Sequence, residues 1–116
     1  MKTEVEKYLF DIREACLLLK EFTDGKTLDD YLSNTMLRSA VERQFEIIGE
    51  ALNHALQHQP SLEEDITHAR RIIGFRNRLI HGYSSVSDKV VWGVVEGSLP
   101  TLWSEISSLL FNNDIS

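Results

Sequence analysis

Between Thr35 and His58 the apolar residues Leu37, Val41, Phe45, Ile48, Leu52 and Ala55 recur at spacings of 4, 4, 3, 4 and 3. A strand cannot use that pattern, because its side chains alternate between faces every two residues. A helix of 3.6 residues per turn places all of them on one stripe over about six turns. Ile47, Ala51 and Leu56 widen the stripe, so this helix needs neighbours on two sides. A chain organised around such an element is a helical bundle.

The same period appears upstream. Val5, Tyr8/Leu9, Ile12, Ala15/Cys16 and Leu19 predict a helix over about residues 3–22, and Asp24-Gly25 supplies a stop. Thr27 before Leu28-Asp29-Asp30 reads as an N-cap with acids in the first turn, which predicts a short helix over 28–33 that Asn34 ends. Pro60 closes the long helix, and Ser61-Leu62-Glu63-Glu64 has the composition of a helix start. A helix through Ile66 to Ile80 follows, with Gly82 as its stop. Lys89–Val95 is rich in β-forming residues. Even so, Val91, Val94/Val95, Leu99, Leu102/Trp103, Ile106 and Leu109/Leu110 keep helical spacing. This predicts a helix over 88–112, kinked near Gly97 and Pro100, with Ser87 or Asp88 as its cap. The expected fold is all-α, a single domain over 1–116, built as an antiparallel up-and-down bundle of four to five helices.

Composition excludes several alternatives. At 42% apolar residues the chain can bury a core. The single cysteine, Cys16, rules out an intrachain disulfide and a Cys-based zinc site. The N-terminus has no apolar signal region, and no apolar run approaches the ~20 residues of a membrane span. A cytoplasmic protein of a reducing compartment, with no membrane partner, is expected. The net charge is −6, yet His68–His81 holds Arg70, Arg71, Arg76 and Arg78, four of the 12 basic residues, and no acid. A local basic patch on an acidic body can bind a polyanion at one place, and the arginine fork suits phosphate. On charge alone, pairing of these arginines with acids on neighbouring helices is the commoner role.

Within that stretch, Arg76-Asn77-Arg78-Leu79-Ile80-His81-Gly82-Tyr83 resembles the Arg-x4-His motif of HEPN-domain ribonucleases, in the Arg-x4-His-x-Tyr form of HepT-like proteins. Phe45-Glu46-Ile47-Ile48-Gly49-Glu50-Ala51 is similar to that family's second-helix signature. The order of the block from Ile73 through Val91-Trp92 and Leu99-Pro100 is similar as well. A Trp that many relatives carry shortly before the Arg motif is missing from 60–73. The resemblance implies a HEPN-like bundle that forms a homodimer, with the two motifs facing each other across a cleft. It implies a metal-independent endoribonuclease without a cofactor, the toxin of a toxin–antitoxin pair. It also implies that Tyr83 accepts AMP from a partner minimal nucleotidyltransferase, the antitoxin. An added phosphate there would set negative charge beside arginines that bind RNA; packing of Tyr83 at an interface is the other reading.

RNA cleavage without a metal needs a base for the 2′-hydroxyl, a donor for the leaving 5′-oxygen and positive charge at the phosphorane. Imidazole suits the proton work and Arg the charge, so His81 and Arg76 are the expected catalytic residues. Five residues apart, they point about 140° apart on a regular helix. They converge only if the helix ends near His81 or if two copies each contribute a motif. Asn77, Arg78 and Glu50 are the expected supporting residues, and Arg70 and Arg71 the RNA-binding ones. Asn77 either orients substrate or histidine, or caps the helix end. Glu50 either pairs with Arg76 or Arg43, or is simply solvated. Glu50, His54 and His58 have ligand spacing, but with no further His or Cys nearby no metal site is expected. His68 has no evident partner. The competing function is a non-catalytic helical subunit that docks a nucleotidyltransferase. A purely structural bundle would make the motif a coincidence.

Overall fold

The computed structural model describes residues 2–82 and 86–115, with side chains described through Asn112. Among these residues the chain forms six α-helices and one 3-10 turn, with no strand. They are α1 (Thr3–Thr23), α2 (Leu28–Leu32), α3 (Thr35–His58), the 3-10 turn (Pro60–Glu64), α4 (Ala69–His81), α5 (Asp88–Glu96) and α6 (Ser98–Ile115).

α1 and α3 are the predicted stripes meeting face to face. Val5, Leu9, Ile12 and Leu19 of α1 and Val41, Ile48 and Leu52 of α3 are fully buried. Tyr8, near the start of α1, stacks on His54 and His58 near the end of α3, so the two helices run antiparallel. α4 packs on the other side of α3, and α6 on α1. Trp103 of α6 lies half-buried beneath the Arg13 guanidinium of α1, 5.1 Å from the ring centroid. Trp92 is buried against Tyr31 of α2, with centroids 5.3 Å apart.

The short elements carry the local signals read from the sequence. Gly25 has φ 70°, the left-handed conformation a tight turn asks of glycine. Thr27 and Asp30 form a reciprocal capping box: the Thr27 N–H donates to Asp30 Oδ2 at 2.9 Å, and the Asp30 N–H to Thr27 Oγ1 at 3.2 Å. Asn34 Oδ1 accepts from the Leu37 N–H at 3.0 Å, and Ser87 Oγ from the Val90 N–H at 3.2 Å. No helix of the described residues is long and apolar enough to cross a membrane.

Two boundaries differ from expectation. The start signal at Ser61–Glu64 produces only a 3-10 turn, and α4 begins at Ala69. Leu62 and Ile66 are buried as plugs between them. The Thr67 N–H and hydroxyl donate to the Glu105 carboxylate of α6 at 3.1 and 2.7 Å. That N–H therefore serves a tertiary contact instead of a helix ladder, and its partner lies 38 residues away. The expected kinked helix over 88–112 is instead two helices divided at Gly97. Pro100 falls in the first turn of α6, where a missing N–H costs no hydrogen bond.

Cys16 is 2% exposed, and burial pushes its thiol up to about 12. Native protein at pH 8 is expected to resist a thiol-specific disulfide reagent and to react within minutes once unfolded in guanidinium; fast native labelling would contradict this packing. An unfolded chain ionises this thiol from about pH 9 while the folded chain does not until about pH 12. Stability is therefore expected to decline across that window as pH rises.

Candidate active site

α4 is amphipathic, with Ala69, Ile72, Ile73 and Phe75 turned into the bundle. Phe75 meets Phe45 of α3 edge to face, at a centroid distance of 5.3 Å. Arg76 lies on this same inward face, which makes it the unusual residue of the helix. Its side chain is only 22% exposed. The stem can run there because Gly49 of α3 has no side chain. A Cβ on Gly49 would stand 2.6 Å from Arg76 Cγ and nearer still to Arg76 Cβ.

The guanidinium is held from two sides. Arg76 Nη1 donates to Asn77 Oδ1 at 2.9 Å, and Nη2 lies 3.9 Å from Glu50 Oε2. Asn77 thus steadies the arginine, not the histidine, and Arg43 pairs with Glu46 at 3.7 Å. A carboxylate at this distance and 59% exposed contributes little stability, of order 0–1 kcal/mol. Its effect is to orient. Arg76 Nε is buried and has no partner among the described residues. The cation is positioned, and its hydrogen-bonding capacity is not saturated.

His81 is the last residue of α4 and is exposed. The Gly82 N–H closes the helix on the Arg78 carbonyl at 2.8 Å. The helix is regular up to His81, so the two motif side chains leave the axis about 140° apart. Among the described residues no hydrogen bond or ion pair joins them. Arg76 faces α3, and His81 faces outward.

The remaining predicted residues distribute as follows. Asn77 and Arg78 are exposed on the outer face of α4. Arg70 Nε donates to Glu63 Oε1 at 2.6 Å, and that contact raises the guanidinium's proton affinity. Arg71 is exposed and makes no ion pair or hydrogen bond among the described residues. Tyr83 lies outside the described residues. Glu50 Oε1 also approaches His54 Nε2, at 3.8 Å. His54 and His58 spend their faces on Tyr8, with centroids 5.3 and 5.8 Å away. Among the described residues no three His, Cys, Asp or Glu side chains converge as a metal set.

Sequence reasoning missed the part played by Gly49. The signal was available, since a glycine inside a strongly periodic helix marks a close approach. What passes over it cannot be read from α3 alone.

A family described as Ribonuclease HepT-like matches residues 12–109. The chain is 35% identical over 109 residues to "Probable ribonuclease HepT" of Thermococcus cleftensis, covering 94% of this chain and 98% of that one. It is 31% identical over 107 residues to a Methanocaldococcus jannaschii protein, covering 90% and 95% of the two chains. It is 29% identical over 110 residues to one from Caldanaerobacter subterraneus, covering 95% and 96%. Both of these carry the name "Putative RNase". No solved structure matches the chain at a significant level.

Proposed function

The chain belongs to the HepT-like ribonuclease family, and we propose that it is a metal-independent endoribonuclease whose active site is completed by two copies of α4. The observation that carries this reading is the state of Arg76. A guanidinium is held on the inward face of a helix by Asn77 and Glu50, while 22% of its side chain stays exposed. Among the described residues its terminal nitrogens donate only to Asn77. An arginine steadied in this way keeps terminal donors for a phosphate.

The exposed His81 ends the same helix and serves as the proton carrier. It takes the proton of the 2′-hydroxyl, whose oxygen attacks the adjacent phosphorus, and a proton is returned to the departing 5′-oxygen. Arg76 meets the charge that builds on the phosphorane oxygens. Because the two side chains diverge on one helix, Arg76 of one copy works with His81 of the other. A twofold interface brings both pairs together and doubles the local arginine charge on an otherwise acidic protein.

The chain acts as the toxin of a toxin–antitoxin pair. A minimal nucleotidyltransferase neutralises it by transferring AMP to Tyr83, two residues beyond His81, where the added phosphate competes with RNA for the arginines. The test is direct. Purified protein is incubated with single-stranded RNA in EDTA, and the products are resolved on a denaturing gel. Cleavage that persists in EDTA and leaves 5′-hydroxyl ends is expected. Intact RNA, from protein that is folded by circular dichroism, would overturn the proposal and leave a subunit that docks a nucleotidyltransferase.

A further inference from the structure

Among the described residues three glycines lie inside helices, Gly49, Gly74 and Gly93, and only the first is accounted for by packing. Gly49 is occupied by the stem of Arg76. Gly74, in the second turn of α4, has nothing within 4 Å of the place its Cβ would take. Glycine is among the poorest residues for a helix interior. Here no neighbouring side chain or backbone needs the space.

The space belongs to a cleft of about 290 Å³ between α4 and α5. Arg71, Gly74, Phe75 and Arg78 of α4 and Val90 and Val94 of α5 line it, with Gly74 between the two arginines along the helix. No carboxylate lines it. The chain itself has no acidic residue between Asp65 and Asp88. Val90 is 46% exposed, an apolar surface that the described residues leave partly uncovered.

Position on the helix connects the cleft to the motif. Residues 71, 74, 78 and 81 are spaced 3, 4 and 3 apart, so Arg71, Gly74, Arg78 and His81 form one stripe. Arg71 and Arg78 stand about 10 Å apart along the axis, and His81 follows one turn later. Positive charge at two points, an apolar lining beside them and a proton carrier at the end of the same line suit single-stranded nucleic acid. Charge complementarity selects the occupant: in a chain of net charge −6 this cleft presents cations and no anion.

We propose that the α4–α5 cleft is a nucleotide subsite, which holds one nucleotide of single-stranded RNA next to the linkage being cut. Its base lies in the gap at Gly74 against Val90 and Val94, and its flanking phosphates lie on Arg71 and Arg78. The assignment rests on the ribonuclease reading, and it gives a role to a glycine that stability alone disfavours. The subsite orders the strand so that the next linkage meets His81.

The experiment uses the full chain carrying His81→Ala, so that RNA stays intact, and a fluorescein-labelled 12-nucleotide single-stranded RNA read by anisotropy over a range of KCl concentrations. Adding Gly74→Leu, which fills the gap with a good helix former, is expected to weaken binding about tenfold. Adding Arg71→Ala is expected to weaken binding and to reduce the slope of log K against log salt by about 0.7. Unchanged affinity in both variants would overturn the subsite. A change of sedimentation coefficient in Gly74→Leu would also overturn it, by making the cleft an interface between copies. The catalytic reading is tested separately on the chain with His81 intact. If that chain cuts RNA while Gly74→Leu leaves KM untouched, the subsite alone fails; if it neither cuts nor binds RNA, both fail.

Discussion

Arg76→Ala and His81→Ala are each expected to reduce RNA cleavage by about 10²–10⁴-fold, and an equimolar mixture of the two variants is expected to recover about a quarter of wild-type activity. The first part follows from the loss of the phosphorane's counter-charge or of the proton carrier. The second follows from geometry. Side chains about 140° apart on one straight helix point to different sides of it. On the proposed reading, each site is composed of Arg76 from one copy and His81 from the other. In a mixed dimer, one of the two sites combines two damaged residues and the other combines two intact ones. Random reassociation makes about half of the dimers mixed, and each has half its sites working, hence about a quarter. The variants should be mixed after mild denaturation and refolding, so that exchange is complete. Failure of the mixture to exceed either variant alone would show that each chain works by itself, and the composite site would be wrong.

Gly49→Ala is expected to destabilise the protein although alanine is the better helix former by about 1 kcal/mol. The competing effect is larger. The new Cβ would lie 2.6 Å from Arg76 Cγ and closer to Arg76 Cβ. An atom tethered that near its own backbone cannot swing aside as a side-chain tip can. Relief requires α4 to move off α3, which also separates Phe75 from Phe45. Overpacking of this kind costs about 1–3 kcal/mol, or roughly 4–12 °C in Tm for a chain of this size. Cleavage should fall further than stability does, because the displaced residue is Arg76 itself. Arg76→Ala should not rescue folding of Gly49→Ala, since alanine retains the offending Cβ, whereas Arg76→Gly should recover part of it. A Gly49→Ala protein as stable as wild type would show that the helices do not cross this closely.

Both predictions depend on features with different visibility in the sequence. The helix expected over 35–58 is Thr35–His58, and the one expected over about 3–22 is Thr3–Thr23. Their stripes are long, and each apolar residue within them is a local consequence of the 3.6-residue period. The cap at Thr27 was equally visible, because a cap's donor and acceptor are three residues apart; Asn34, read as the end of the short helix, also caps α3. The start of α4 was not. Its delay to Ala69 is set by the Thr67–Glu105 contact, whose halves are 38 residues apart. The division of the last helix at Gly97 was legible as a weak point, but its depth was not.

The candidate site divides along the same line. The candidate residues were named by the motif's resemblance to a known family, and the divergence of Arg76 and His81 follows from their spacing along one helix, which needs only the peptide backbone's own geometry. That Arg76 lies over Gly49, leans on Asn77 and Glu50 and keeps Nε unpaired depends on how α4 meets α3. The cleft beside Gly74 depends on where α5 comes to rest. Local hydrogen-bond rules act within a few residues and so can be read in order along the chain. Close packing acts between residues that are distant along it, and becomes visible only once the helices have docked.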